Sequence, residues 1–233
     1  MRTESQPIAP KGKLIIIEGL DGSGKNTQAK LLAQMLKTAG KPVRMVSFPD
    51  YDSASSALVK MYLSGEFGTQ PDDVNAYAAS TFFAVDRYAS WKRDWGSFYK
   101  NGGIIVADRY TTSNAVHQCC KLPREQWEGY LNWLFSFEYD LLGLPAPDLV
   151  IYLQVDVGDT QKLMDKRYHG DENRKDIHEG NLEYLAHARE AAEYCATKLG
   201  WKTVHCHANG VMRSIEAIHK KVIQAVEESV ECS

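Results

Sequence analysis

Apolar residues along the chain form five short runs, and the longer stretches between them carry apolar positions at helical spacing. A run of aliphatic and β-branched residues is typical of a buried strand, whereas apolar positions three and four residues apart are typical of a helix that packs on one face. Strand and helix therefore alternate, which predicts an α/β fold, a three-layer α/β/α sandwich with a five-stranded parallel sheet. The predicted strands are residues 14–17, 43–47, 104–107, 149–153 and 203–205, and the clearest helical stretches are 27–39, 72–100 and 127–142.

A glycine-rich loop, Gly19-x4-Gly24-Lys25, separates the first predicted strand from the first predicted helix. Glycines let the backbone bend so that successive N–H groups point at one oxyanion, and the helix N-terminus adds partial positive charge. The same letters occur in ordinary turns, but a preceding strand and a following helix are what a phosphate-binding loop requires. We therefore predict a phosphate-binding loop, with Lys25 reaching the β- and γ-phosphates of a bound nucleotide. The predicted phosphate-binding residues are Gly19, Gly22, Ser23, Gly24, Lys25, Asn26 and Thr27.

The predicted metal ligands are two acidic residues at the ends of strands. In a usual loop of this kind, the residue after the lysine is a Ser or Thr whose hydroxyl ligates Mg²⁺, and here it is Asn26. An amide oxygen is a weaker ligand for Mg²⁺ than a carboxylate, so the metal prediction rests on Asp21 and Asp108. The next residue, Arg109, can bind a phosphate bidentately, although Asp108 and Arg109 could also form a local ion pair.

Two further segments are candidates for the second substrate. Ligands of parallel sheets bind beyond the carboxyl ends of the strands, and Phe48-Pro49-Asp50-Tyr51 follows the second strand there. Tyr51 could present a hydroxyl to a phosphate, or the segment could be a simple strand exit. Phe83 and Arg87 lie four residues apart on a predicted helix and share a face. Together they could stack on a base and hydrogen-bond its carbonyl edge, or they could be a core residue and a surface residue.

A charged segment at residues 166–176 is predicted to be a short basic lid. It contains Gly170 and the cations Arg167 and Arg174. Cations that arrive when a lid closes stabilise the charge on the oxygens of a phosphoryl group in transfer. The alternative is a solvated loop.

Composition and charge narrow the class of protein. The chain has 233 residues, of which 44% are apolar and 24% charged, and its net charge is −3. This gives no argument for nucleic-acid binding, and no apolar stretch approaches the ~20 residues of a membrane span. Five cysteines without metal-ligand spacing indicate reduced thiols in a cytoplasmic protein. We expect a flexible N-terminal tail at residues 1–12 and a single domain at residues 13–230.

Taken in order, these motifs resemble the thymidylate kinase family of P-loop nucleoside monophosphate kinases. The matching segments are Glu18 to Lys25, Phe48-Pro49, Phe83-Ala84-Val85-Asp86-Arg87, Asp108-Arg109-Tyr110 with Ser113-Asn114, Pro147-Asp148 and the basic segment that ends at Glu179. The resemblance implies transfer of the γ-phosphoryl group of ATP to the 5′-phosphate of dTMP in the presence of Mg²⁺. It also implies a homodimer, for which the aromatic helices near Phe82 and Trp127 are candidate surfaces.

The resemblance also implies roles for single residues. Phe83 stacks on thymine, Arg87 contacts a base carbonyl, and Asn114 approaches the base. Arg109 holds the monophosphate, and Asp21 sits between donor and acceptor. The full set for dTMP is Asp21, Phe48, Pro49, Tyr51, Phe83, Arg87, Arg109, Ser113, Asn114 and His117, and the catalytic set is Lys25, Arg109, Asp21, Arg167 and Arg174.

The chain departs from the family pattern in three places: at Asn26, at Asp50-Tyr51 where the family often has Arg, and at His117 where a tyrosine often packs on the deoxyribose. Three alternatives stay open. The chain could be a related kinase, either for a different nucleoside monophosphate or for a deoxynucleoside whose 5′-hydroxyl is phosphorylated with Glu18 as the base. It could also be a nucleotide-dependent switch that shares the loop, or a catalytically weak homologue.

Overall fold

The computed structural model describes residues 11–156 and 182–231. Five parallel strands form one sheet in the order β2-β3-β1-β4-β5, with helices on both faces. The strands are β1 (Lys13–Glu18), β2 (Val43–Ser47), β3 (Ile104–Asp108), β4 (Leu149–Gln154) and β5 (Lys202–His205). A separate antiparallel hairpin is formed by β6 (His207–Ala208) and β7 (Val211–Met212). The helices are α1 (Lys25–Thr38), α2 (Ala57–Leu63), α3 (Ala76–Ser90), α4 (Gly96–Lys100), α5 (Thr111–His117), α6 (Trp127–Phe135), α7 (Leu182–Lys198) and α8 (Ile215–Glu231).

The central strand β1 explains why the protein has three layers. All but the first of its residues are buried, and successive side chains point to opposite faces of the sheet. Leu14 and Ile16 join a core that is rich in aromatic residues from α3 to α7. Ile15 and Ile17 join a second core with α1 and α8. A strand buried on both faces has no polar side to expose, which is why it reads as a continuous apolar run.

The predicted α/β fold is confirmed, and each predicted strand lies within one or two residues of an observed one. The predicted helix at 72–100 differs in detail. It begins with a 3₁₀ turn at Pro71–Asp73, and the Asn75 side chain then caps α3 by accepting from the N–H of Ala78. A π-helical turn at Trp91–Trp95 connects α3 to α4, and another at Ser136–Leu141 extends α6. The hairpin of β6 and β7 was not predicted, because each of its strands has only two residues.

Two predicted segments fall outside the described residues. The lid at 166–176, with Arg167 and Arg174, lies there, as does most of the predicted tail at 1–12. Within the described ranges, no helix is both long enough and apolar enough to cross a membrane.

Candidate active site

A cavity of about 640 Å³ opens at the carboxyl end of the sheet. It runs from the loop after β1 to α3 and α5 on one side, and to the β6–β7 hairpin and α8 on the other. Parallel strands bring their carboxyl ends to the same edge of a sheet, so residues far apart in sequence meet here. The predicted residues that line this cavity are Asp21, Gly22, Ser23, Gly24, Lys25, Asn26, Thr27, Phe48, Pro49, Tyr51, Phe83, Arg87, Asp108, Arg109, Ser113, Asn114 and His117.

Gly19 is the exception among the predicted phosphate-binding residues, since it does not line the cavity. Its N–H donates to Glu18 Oε1 at 2.9 Å. A Cβ at this position would lie 2.6 Å from Ser23 Oγ and 2.9 Å from the backbone oxygen of Leu153. Gly19 therefore allows close packing at the turn, whereas Gly22 (φ 78°) and Gly24 (φ 84°) give the loop its left-handed bends beside the cavity.

Lys25 begins α1 and is buried in the cavity wall. Its Nζ donates to the backbone oxygen of Leu20 at 2.8 Å and lies 3.8 Å from Asp21 Oδ1. Burial and the charge of Arg109 lower the pKa of Lys25, and nearby carboxylates partly offset that shift. The ammonium group is thus held by the loop itself, at the N-terminus of a helix.

Asp21 bridges the two cations of the site. Its Oδ1 accepts from Arg109 Nη2 and faces Lys25. Burial alone would raise the pKa of Asp21, but the charges of Arg109 and Lys25 lower it well below its usual range. For Arg109 the two effects have the opposite signs: burial alone would lower the pKa, but the charges of Asp21 and Glu18 raise it. Asp21 and Arg109 therefore stabilise each other's charged forms.

Arg109 adopts a left-handed backbone conformation, with φ 66°, which is uncommon for a residue other than glycine. Its Nη1 donates to Ser113 Oγ at 3.1 Å and contacts His117 Nε2 at 3.0 Å. A guanidinium group can only donate, so Arg109 Nη1 is the donor in its contact with His117 Nε2. Strained backbone of this kind is concentrated at functional sites, because the surrounding structure must hold it in place.

Glu18 also supports the cluster of Asp21, Lys25 and Arg109. Its Oε1 accepts from the N–H of Gly19, and its Oε2 accepts from Thr112 Oγ1 at 2.7 Å and Ser113 Oγ at 2.8 Å. The side chain is 1% exposed. A carboxylate whose two oxygens are taken in this way orients α5 and Arg109, and it is not positioned as a general base.

Asp108 is the stronger of the two predicted metal ligands. Its Oδ2 accepts from Asn26 Nδ2 at 2.9 Å, while its buried Oδ1 has no hydrogen-bond partner in the described structure. Asp21, by contrast, is engaged with Arg109. In the described ranges, no three His, Cys, Asp or Glu residues come together as a metal site. An orphaned carboxylate oxygen beside a phosphate-binding loop fits Mg²⁺, which commonly takes one or two carboxylates together with substrate phosphates.

The far side of the cavity holds Phe83 and Arg87, one turn apart on α3. Phe83 is half-buried, with Tyr62 packed edge-on at 6.2 Å between ring centroids. Arg87 lines the cavity but is otherwise enclosed, since Nε and Nη2 donate to Glu138 at 2.8 and 2.5 Å. Glu138 also accepts from Thr111 Oγ1 at 2.7 Å and lies 3.5 Å from Asn114 Nδ2. One buried carboxylate thus holds Arg87, Thr111 and Asn114.

The segment after β2 is fixed by an aspartate of the Phe83–Arg87 motif. Asp86 Oδ2 accepts from the N–H of Asp50 at 2.8 Å, and Oδ1 accepts from Ser55 Oγ at 2.6 Å. The Phe48–Pro49 peptide bond is cis. Pro49 and Tyr51 both reach the cavity.

Several residues in or next to the cavity were not predicted from the sequence. Glu138 binds Arg87, Thr111 and Asn114 from outside the cavity. It belongs to no recognisable sequence motif, because its position depends on the π-helical turn. Gln118 could have been found, since it follows His117 and lies four residues after the predicted Asn114. The remaining unpredicted lining residues are Gln28, Ser47, Leu63, Tyr110, Met212, Arg213, Ile215 and Ile218.

Known proteins resemble this chain over most of its length. A family description of thymidylate kinases matches residues 17–222. A thymidylate kinase from Mycobacterium tuberculosis is 34% identical over 143 residues, which span 61% of this chain and 65% of that protein. A thymidylate kinase from Arabidopsis thaliana is 29% identical over 238 residues, which span 100% of this chain and 78% of that protein.

A solved structure of thymidylate kinase from Candida albicans has the same fold, with a TM-score of 0.69 at 22% identity, over 94% of this chain and 92% of that one. The solved structure supports the fold, and the family description matches the sequence over most of the chain. We conclude that the chain belongs to the thymidylate kinase family.

Proposed function

We propose that the protein transfers the γ-phosphoryl group of ATP to the 5′-phosphate of dTMP, giving dTDP and ADP. The observation that carries this proposal is the continuity of one cavity between the loop around Lys25 and the side that holds Arg109, Phe83 and Arg87. A donor phosphate on the loop and an acceptor phosphate on Arg109 would face each other there. Membership of the family supports the same reaction.

The residues of the site support transfer by positioning and charge. The acceptor is already an anion, so the reaction needs no strong general base. Arg109 can exchange its contact with Ser113 for a bidentate contact with the acceptor phosphate, while Asp21 keeps the guanidinium in place. Lys25 can likewise turn from the Leu20 carbonyl to the phosphates of ATP. Arg167 and Arg174 stay predictions for the lid.

Phosphoryl transfer of this kind generally needs a divalent metal, and we propose Mg²⁺ held mainly by Asp108. The orphaned Oδ1 of Asp108 is the supporting observation, and Asp21 is the second candidate. The ion would neutralise charge on the phosphate oxygens. Asn26 occupies the place of the usual hydroxyl and orients Asp108 through its amide.

The neighbouring reaction, phosphorylation of a 5′-hydroxyl, lacks a base in this site. Glu18 was the candidate, and both of its oxygens accept hydrogen bonds from the protein. Among the described cavity residues, only Asp21 and Asp108 carry a carboxylate. Asp21 is paired with Arg109, and Asp108 faces the phosphate-binding loop. The site therefore favours an acceptor that brings its own anionic oxygen.

The test is formation of ADP from ATP and Mg²⁺ with one acceptor at a time: dTMP, dUMP, dCMP, AMP, GMP or thymidine. We expect strong stimulation by dTMP. Stimulation by thymidine or by a different monophosphate alone would move the protein to another kinase specificity. No stimulation by any acceptor would favour the switch or the weak homologue.

We also propose a cytoplasmic homodimer. Tyr77, Trp133 and Phe137 form a continuous aromatic group on α3 and the extended α6, and Leu141 at the end of that extension is 78% exposed. Such a group suits a contact with a second copy. Light scattering should give twice the mass of one chain, and Leu141→Glu should shift the protein toward the monomer. The cytoplasm is supported by free buried cysteines at 119, 120, 195 and 206.

A further inference from the structure

A tyrosine on α7 contacts the last residue of α5 in two ways. Tyr184 Oη donates to the backbone oxygen of His117 at 2.9 Å and lies 3.2 Å from His117 Nδ1, and the two rings stack with 20° between their planes. Both side chains are buried. A phenol has one proton, and here the carbonyl accepts it, so the Tyr184 oxygen is an acceptor toward Nδ1.

The opposite nitrogen of the same imidazole contacts the proposed phosphate-binding arginine. Arg109 Nη1 lies 3.0 Å from His117 Nε2, and because a guanidinium group only donates, Nε2 accepts there. One ring nitrogen therefore faces an acceptor and the other faces a donor. Only the tautomer with its proton on Nδ1 satisfies both contacts, since a proton on Nε2 would set two donors against each other.

Tyr184 does not line the cavity, so any influence on a substrate passes through His117. The Arg109 guanidinium is held at Nη2 by Asp21, and at Nη1 by Ser113 and His117. The imidazole is thus one of the groups that fix the plane of this guanidinium. A bidentate contact with a phosphate requires that plane to be fixed, because the two N–H groups must point at two oxygens at once.

We propose that Tyr184 is a positioning residue for the acceptor phosphate: it keeps the proton of His117 on Nδ1, so that Nε2 accepts from Arg109 and orients the guanidinium. The hydrogen bond at one ring nitrogen commonly sets the state of the other in this way. Tyr184 and His117 are 67 positions apart, and the packing of α7 on α5 brings them together. The inference rests on the proposed transfer to a 5′-phosphate.

The first test reads the tautomer directly, from the nitrogen-15 NMR shifts of the His117 ring at neutral pH. The signals of His117 are identified by their loss in His117→Gln. We expect the shift of a protonated nitrogen at Nδ1 and that of an unprotonated nitrogen at Nε2. In Tyr184→Phe the two shifts should move toward each other. A proton on Nε2 or on both nitrogens of the wild type would overturn the proposal, as would an unchanged spectrum in the variant.

The second test is calorimetry with dTMP and with thymidine, which lacks the phosphate. Tyr184→Phe keeps the ring and removes only the hydroxyl, so dTMP should bind about tenfold more weakly, the effect of one lost hydrogen bond to a charged group. Thymidine should bind as it does to the wild type, because it brings no phosphate to Arg109. Tyr194→Phe, the same change on the same helix where Tyr194 packs on Trp127, is the matched control and should bind both ligands like the wild type.

The outcomes separate this inference from the proposed function. Failure of the wild type to bind dTMP would contradict the dTMP acceptor and with it the role of Tyr184, whereas the spectrum of His117 would still report the tautomer. Equal losses for dTMP and thymidine in Tyr184→Phe would assign Tyr184 a general structural role and overturn the inference alone, as would unchanged binding of dTMP. Both tests are run below the Tm of the variant, so that they report on folded protein.

Discussion

At the scale of single residues, Arg109 joins most of the features that indicate phosphate chemistry. It has a left-handed backbone, contacts Asp21, Ser113 and His117, and lines the cavity. A lysine at this position would keep the charge but lose the planar fork that contacts several oxygens at once. For the proposed contact of Arg109 with the acceptor phosphate, the identity of the side chain therefore matters as well as its charge.

Arg109→Lys is expected to lower kcat/KM for dTMP by about a hundredfold or more, a loss typical of removing a group that stabilises the transition state. Thermal unfolding should change little. Arg44→Lys is the matched control, because Arg44 pairs with Asp94 at the surface and lies outside the cavity. Steady-state kinetics would contradict the assignment if both variants retained wild-type activity.

Phe83 offers a second residue-scale prediction, with its neighbour as control. Both Phe82 and Phe83 pack on Tyr62, but only Phe83 of the two lines the cavity. Phe83→Ala should weaken dTMP binding by about tenfold or more, since stacking on a base contributes roughly 1–3 kcal/mol. Binding of ATP should not change. Calorimetry on Phe82→Ala should show little change for either ligand, and equal losses in the two variants would argue against stacking on Phe83.

At the scale of elements, the π-helical turn at Ser136–Leu141 determines where α6 contributes to the site. It places Glu138 with 0% exposure between α3 and α5, where it binds Arg87, Thr111 and Asn114. Such turns are often found at functional sites, because they redirect one side chain without ending the helix. The Glu138 carboxylate thus holds together the side of the cavity that contains Arg87 and Asn114, and it is separate from the cluster around Arg109.

Glu138→Gln should be one of the most damaging single changes in the protein. It leaves the Arg87 guanidinium buried without its counter-ion, for which a loss of about 3–5 kcal/mol in the free energy of unfolding is typical. Urea denaturation would measure this loss, and dTMP binding to the folded fraction should also weaken. Glu128→Gln, an exposed partner of Lys198, is the control and should unfold like the wild type. An unchanged urea midpoint for Glu138→Gln would contradict the pairing.

At the scale of the whole molecule, Lys121 links the segment after α5 to α2 and to the segment before α3. Its Nζ donates to Tyr62 Oη at 2.6 Å and to the Val74 carbonyl at 3.1 Å. Burial lowers the pKa of Lys121 from 10.5 to about 8. Between these two values the unfolded chain binds more protons at this site than the folded protein, so the contribution of Lys121 to stability rises with pH from about 8 to 10.5.

Urea midpoints measured from pH 7.5 to 10 should therefore rise for the wild type relative to Lys121→Met. Below pH 8 the difference between the two proteins should become constant, because Lys121 is charged in both the folded and the unfolded chain. Lys198→Met, at an exposed position paired with Glu128, should follow the wild type across this range. A constant difference between wild type and Lys121→Met at every pH would show that the pKa of Lys121 is not lowered.

The local elements of this protein could be read from the sequence because they depend on short-range patterns. A strand buried on both faces needs a continuous apolar run, as in β1, and α1 needs apolar residues on one face. The phosphate-binding loop needs glycines at left-handed positions next to a helix N-terminus. Spacing alone therefore predicted the parallel sheet, the loop and the residues at the ends of strands.

The contacts between distant segments could not be read in the same way. The pairing of Arg87 with Glu138 joins residues 51 positions apart, and the contact of Arg109 with Asp21 joins residues 88 apart. The sequence suggested a partner for Arg109 in Asp108 next to it, whereas the fold brings Asp21 and Glu18 to its side. Such contacts depend on how the strands are ordered in the sheet and how the helices pack on it, because burial and ion pairing are decided between layers. Propensity and periodicity contain no information about which of several carboxylates will reach a given cation, and only the assembled layers supply it.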